Sequence, residues 1–189
     1  MKTEDRLPSR LSVSAEDYRH AISRLPTGVT VITTAGPVGC TANAVMSLSV
    51  DPPSVLLSLT TASRTLAHIR SEGRFAVNVL SWTDRRLVAQ FATGTQAERF
   101  AGVPWHGVGG VPVLTGASVA VVCTVRETVS LLDHTLIAGT AEWTQVNDTP
   151  ATVLYGDEQY PAGPDPADLD PACLAHRGSG GDAGGGGMA

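Results

Sequence analysis

The stretch CTANAVMSLSVDPPSVLLSL, Cys40 to Leu59, opens on small thiol, hydroxyl and amide residues, crosses a Pro-Pro corner and ends as an apolar run. Cores are seldom built from Thr-Ala-Asn-Ala, and loops seldom carry so little charge. The β-branched run GVTVITT precedes it, joined by the turn AGPVG. The pair reads as a hairpin, with CTANAVMSLSV as its second strand. Asp51-Pro52-Pro53 forces a corner, because each proline removes a ladder donor. SVLLSLT then reads as a third strand.

Working outward, Ser14-Ala-Glu-Asp17 reads as a helix start, with Ser14 as N-cap. Tyr18, Ala21, Ile22 and Leu25 follow at helical spacing, and Pro26 and Gly28 close that helix. SRTLAHIRSEG reads as a short helix capped by Ser63 and ended by Gly73. RFAVNVLS is a strand. TDRRLVAQFA is a helix with Leu87, Val88 and Phe91 as its apolar stripe. Residues 93–116 read as irregular. SVAVVCTVRETVSLLD and HTLIAGTAEWTQV pair as a bent hairpin around Asp133, and ATVLY is a last short strand. Short strands with a few inserted helices and no β-α-β alternation predict a mainly β protein, a closed or nearly closed antiparallel barrel. Residues 1–13 read as a flexible leader, 14–160 as the folded domain, and 161–189, rich in Pro, Asp, Ala and Gly, as a disordered tail.

The chain has 189 residues, 42% hydrophobic and 16% charged, enough for one domain with a substantial core. A formal charge of -5, with Lys2 the only lysine, argues against nucleic acid as a partner. No apolar run approaches the roughly 20 residues of a membrane span. The N-terminus lacks the apolar segment of a signal peptide. Cys40, Cys123 and Cys173 are widely spaced, with no CxxC, so a zinc ribbon or redox dithiol is not indicated. Scattered thiols fit a cytoplasmic protein. His20, His68, His106, His134 and His176 show no metal spacing. GxGxxG, Walker A, HExxH and GxSxG are all missing.

An enzyme with such a sequence would leave its hard chemistry to a bound cofactor. A flavin suits the opening stretch. Its planar ring needs backbone to come close, which small side chains permit, and its ribityl chain needs hydroxyls and an amide. TTASRT, 60–65, supplies hydroxyls, an Arg and a helix N-terminus for a phosphate. The competing reading is plain packing: Ser, Thr and Ala also line any barrel wall, and Ser63 serves equally as a simple N-cap.

RLPTGVTVITT, GCTANAVMSLSVDPPSVLLSL, SRTLAHIRSEGRFAVNVLS, ERFAGVPW and DHTLIAG occur in the order found in one family. Over roughly residues 15–156 the chain resembles the short-chain flavin reductases, the reductase components of two-component flavin-dependent monooxygenases. The resemblance implies an antiparallel split β-barrel of the FMN-binding type, usually a homodimer. It implies hydride transfer from NADH or NADPH to FMN or FAD, which then serves a separate monooxygenase. It places Thr41, Ala42, Asn43, Ala44 and Ser47 along the ring and ribityl chain. Ser58, Leu59 and Thr60 follow on the ribityl-phosphate side. It gives Ser63, Arg64 and Thr65 to the phosphate, and His134 to the nicotinamide side. Ala44 stands where family members commonly have Ser. LYGDEQYPAG is acidic where many have Arg, which leans toward NADH over NADPH. The same barrel also occurs in flavin carriers and pyridoxamine phosphate oxidases, so a flavin-binding barrel without reductase turnover is the alternative, and a monooxygenase component a third.

Overall fold

The computed structural model describes residues 12–162. All but the inner two residues of the expected leader and of the expected tail lie outside that range. The chain begins with helix α1 (Ala15–Ile22), followed by β1 (Thr27–Gly28), β2 (Thr30–Thr34), β3 (Val38–Ala42), β4 (Val45–Val50) and β5 (Pro53–Thr60). Helix α2 (Arg64–Glu72) and β6 (Arg74–Val79) come next, then a 3-10 turn at Trp82–Asp84, α3 (Leu87–Thr93) and α4 (Gln96–Arg99). A small hairpin, β7 (Trp105–Val108) and β8 (Val111–Leu114), leads to the long strands β9 (Val119–Leu131) and β10 (His134–Val146). The last hairpin is β11 (Thr152–Tyr155) and β12 (Glu158–Pro161).

Seven strands form one antiparallel sheet in the order β3-β2-β6-β9-β10-β5-β4. Its two edge strands, β3 and β4, are consecutive in sequence and separated only by Asn43 and Ala44. So short a link between opposite edges requires the sheet to roll up until those edges meet. This is a barrel closed by covalent chain where β3 and β4 would otherwise form a ladder.

Alternation along β2 shows how both faces are filled. Ile32 points into the barrel with Leu57, Phe75, Val77 and Ile137, and Leu66 and Ile69 of α2 pack with them. Val31 points outward, into a second cluster with Leu80, Leu87, Phe91 and Leu114. Each of these fully buried aliphatic or aromatic side chains contributes about 1.5–3 kcal/mol of transfer free energy. The interior is tight: a Cβ on Gly139 would lie 2.6 Å from Cζ of Phe75.

Local signals hold at the helices. Ser14 Oγ accepts from the N–H of Asp17 at 3.0 Å, and Ser63 Oγ from that of Leu66 at 3.4 Å. Gly73 ends α2 in the left-handed region at φ 69°, where glycine carries no Cβ penalty. Three expectations need correction. CTANAVMSLSV is not one strand, because Asn43–Ala44 breaks it and sends its halves to opposite sheet edges. Residues 93–116 contain α4 and the β7–β8 hairpin. Helix α1 stops at Ile22, before Pro26, and buries none of its residues.

Candidate functional site

The barrel seam carries the candidate site. A hollow of about 260 Å³ is lined by Cys40, Thr41, Ala42, Asn43, Ala44, Ser58, Leu59, Thr60, Ser63 and His134. A second hollow, of about 290 Å³, shares Asn43, Ala44 and Ser58 and adds Val45, Met46, Leu56 and Leu136. The two adjoin along the link that closes the barrel. The N–H of Ser58 donates to the carbonyl of Ala44 at 2.9 Å, stitching β5 to that link. His134 is the only titratable side chain besides the Cys40 thiol on these walls.

Hydrogen bonding separates the polar residues into two groups. Thr41 donates its hydroxyl proton to the carbonyl of Val88 at 2.7 Å, so it anchors the first turn of α3. Ser63 caps α2. Thr65 is 1% exposed and its hydroxyl meets the Cys40 thiol. Asn43, Ser58 and Thr60, by contrast, make no side-chain hydrogen bond to any described residue, and all three line the hollow. Unspent amide and hydroxyl groups beside Ala42 and Ala44 fit a flat, neutral, polar-edged ring.

At the Ser63 end, the N–H groups of Arg64 and Thr65 lie in the first turn of α2, where no intrahelical acceptor exists. That turn contains no acidic residue, unlike α1 with Glu16 and Asp17. The positive end of the helix dipole is therefore left for an external anion, with the Arg64 guanidinium exposed beside it. Ser47 and Arg64 are exposed and Thr65 is buried, and none of the three lines either hollow. The other predicted residues do.

At the opposite rim, His134 starts β10 and pairs across the ladder with Thr60. Its Nδ1 lies 2.8 Å from Oδ1 of Asp133. That hydrogen bond, first, and the charge of His134 after it hold the Asp133 carboxyl below its usual range. The N–H of Thr61 donates to the Asp133 carbonyl at 2.9 Å, tying the histidine turn to the end of β5.

One residue near the hollow escaped sequence reasoning. Arg99 donates from Nη1 to the carbonyl of Gly39 at 2.6 Å and from Nε to that of Gly94 at 2.8 Å, pinning β3 from behind. Only the recurrence of ERFAGVPW pointed to it. Cys40 lines the hollow, and burial pushes its thiol up, with hydrogen bonds from Thr65, the charge of Arg99 and Ser63 opposing in that order. A protonated thiol is a poor nucleophile. Asn78 turns out to be structural. It is fully buried, donates to the Val31 carbonyl at 3.0 Å and Thr33 at 3.1 Å, and accepts from the Leu114 N–H at 2.9 Å. Among the described residues no His/Cys/Asp/Glu cluster could hold a metal, and no helix is long and apolar enough to cross a membrane.

Comparison with known proteins agrees with this geometry. Residues 22–164 match the model of the flavin reductase like domain. The flavin reductase (NADPH) of Lentzea aerocolonigenes is 38% identical over 156 residues, covering 78% of this chain and 89% of that one. A probable flavin reductase of Rhizobium meliloti is 37% identical over 126 residues, and the chain spans only 40% of that relative's length. Among solved structures, the NADH:FAD oxidoreductase of Streptomyces globisporus C-1027, in complex with NAD and FAD fragments, superposes with a TM-score of 0.75 at 28% identity, covering 82% of this chain and 98% of that one. The styrene monooxygenase flavin reductase of Pseudomonas putida S12 gives 0.69 at 26%, covering 78% and 97%. These neighbours carry the split barrel expected from the sequence. With its barrel closed at Asn43–Ala44 and the domain match running over most of its length, this chain belongs to the flavin reductase like family.

Proposed function

We propose that the protein is an NAD(P)H:flavin oxidoreductase that supplies reduced FMN or FAD to a separate monooxygenase. The observation that carries this is the seam. A nearly uncharged hollow with unspent polar groups at Asn43, Ser58 and Thr60 runs from an anion-ready helix start to His134. Relatives named NADPH and NADH:FAD reductases, and one named for a styrene monooxygenase, support the same reading. When both nucleotides are bound, the chemistry is hydride transfer from nicotinamide C4 to flavin N5. The chain's own work is positioning. Thr41, Ala42, Asn43 and Ala44 offer backbone and amide to the ring, with Ser47 further along the same wall. Ser58, Leu59 and Thr60 follow the ribityl chain. The first turn of α2, with Ser63, Arg64 and Thr65, takes the phosphate. His134, oriented by Asp133, bounds the side from which nicotinamide enters.

A homodimer is part of this proposal. The outward face of β4, β5, β10 and β9 sets Met46 beside Leu56, and Leu136 beside Val129, by strand register. Met46 is 56% and Val129 43% exposed. A second copy covering this face would bury apolar area and wall in the second hollow. Cytoplasmic residence follows from the same reading, since Cys40 and Cys123 are free and the nicotinamide pool is intracellular.

The deciding experiment follows NADH or NADPH absorbance with purified protein and FMN or FAD in turn. Consumption that requires added flavin is the expected result. A tightly yellow protein inert to both nicotinamides would mean a flavin-holding barrel without turnover.

A further inference from the structure

A third hollow, of about 270 Å³, lies between the 3-10 turn that leads into α3 and the two ends of the β7–β8 hairpin. It shares no residue with the two hollows of the seam. Its floor is core. Leu87, Val103 and Leu114 line it, are 3%, 7% and 1% exposed, and belong to the cluster that Val31 enters from β2. The N–H of Thr115 donates to the Pro104 carbonyl at 3.0 Å and ties the two ends of the hairpin together. Above this floor stands one charge of each sign. Asp84 and Arg86 both line the hollow, two residues apart, yet neither forms an ion pair with the other or with any described residue. The Asp84 carboxylate has the Ser81 hydroxyl, at 3.4 Å, as its hydrogen-bond partner. Its place is kept open by Gly116, where a Cβ would collide with Asp84 Oδ2.

Opposite charges held apart over an apolar floor make one chemical demand. A simple cation or anion meets one charge and is repelled by the other. A hydrocarbon meets neither. A small zwitterion with an apolar body answers all three features. Its ammonium donates to Asp84, its carboxylate takes the planar fork of Arg86, and its body covers Leu87, Val103 and Leu114. The volume falls just below the roughly 300–1,000 Å³ of sites for drug-sized ligands, which suits so small a guest. The location reaches the seam: Leu87 directly precedes Val88, whose carbonyl takes the Thr41 hydroxyl proton.

We propose that this hollow binds a free α-amino acid with an apolar side chain, its ammonium on Asp84 and its carboxylate on Arg86. The proposal goes beyond the reductase reading and stands or falls without it. The probes are L-leucine, L-methionine and L-phenylalanine, titrated calorimetrically in turn into the full-length protein, with and without saturating FMN. At least one should bind with a Kd of about 1 mM or tighter, and FMN should leave that value unchanged. Its deaminated and decarboxylated analogues (4-methylpentanoate and 3-methylbutylamine for leucine) should each bind at least about tenfold more weakly. Asp84→Asn and Arg86→Gln should each weaken the amino acid by at least about tenfold while keeping the wild-type melting curve, since neither charge has an ion-pair partner to lose. A structural role alone would not produce the final pattern. Asp84→Asn should close the gap between the amino acid and its deaminated analogue, and Arg86→Gln the gap to the decarboxylated one. No binding of any of the three up to about 10 mM overturns the proposal. Displacement of the amino acid by FMN, which would seat it in the seam, overturns it as well, and so does equal binding by wild type and both variants.

Discussion

The backbone N–H of Thr61 donates to the carbonyl of Asp133 at 2.9 Å, so the segment that leads to α2 and the turn that carries His134 are one unit. The hydroxyls of Thr61 and Thr135 meet behind it at 3.2 Å, and Arg70 donates from Nη2 to Thr135 at 3.4 Å. The start of α2 and the His134 rim of the seam therefore keep a fixed separation, which the proposed positioning catalysis requires.

Replacing His134 by Ala should impair the nicotinamide side alone. We expect kcat/KM for NADH to fall by about ten- to a hundredfold, the range of one or two lost polar contacts. The Kd for FMN, read by fluorescence quenching, should change little. Equal losses in both quantities would remove His134 from the nicotinamide rim.

Asp133 provides a pH test with a definite sign. Its carboxyl is held below the usual range chiefly by the His134 hydrogen bond. A depressed folded-state value means the pair's contribution is present above the unfolded carboxylate value and is lost as pH falls through the folded one. The group is fully exposed, so the effect on global stability is negligible and the readout is spectroscopic. Carbon-detected NMR should give an Asp133 midpoint below that of a free aspartate, and His134→Ala should move it back up. An unchanged midpoint in the variant would place the cause elsewhere.

Asn78→Ala should cost about 2–4 kcal/mol, because it strands the buried N–H of Leu114 and removes two donated bonds at once. Urea unfolding measures this. At temperatures where the variant stays folded, flavin-dependent NADH oxidation should persist, because Asn78 lines neither hollow.

Gly139→Ala drives a methyl group into the Phe75 ring and should cost about 1–3 kcal/mol by overpacking. Phe75→Leu opens space there but leaves a void of its own. The double variant should therefore be more stable than the sum of the two single losses implies, by more than about 0.5 kcal/mol, in a thermal double-mutant cycle. Additive losses would contradict the contact.

How legible was this in the sequence? Helix boundaries set by Ser14, Ser63 and Gly73 were readable because capping is a local matter of one side chain or one φ angle. The long β9–β10 pair was readable from its apolar content around Asp133. The break at Asn43–Ala44 was not, because it results from barrel closure, a global constraint that leaves the local strand pattern of CTANAVMSLSV intact. The β7–β8 hairpin hid behind glycines. At the site, residue types pointed to a ring and a phosphate, but not to which hydroxyls were already engaged. Thr41 and Ser58 look alike as letters. One holds the Val88 carbonyl and the other holds nothing among the described residues, and only packing tells them apart.

The covalent closure at Asn43–Ala44 has a consequence for turnover. Ala42 and Val45 are three peptide steps apart, so their α-carbons can separate by at most about 11 Å. The link fixes the width of the seam at Asn43–Ala44, where the two hollows adjoin, whatever the state of the hydrogen bonds beside it. If the protein releases its flavin each cycle, as proposed, Asn43, Ser58 and Thr60, whose side chains hold no other partner among the described residues, are the positions where single substitutions should change how long a guest stays while leaving the barrel intact.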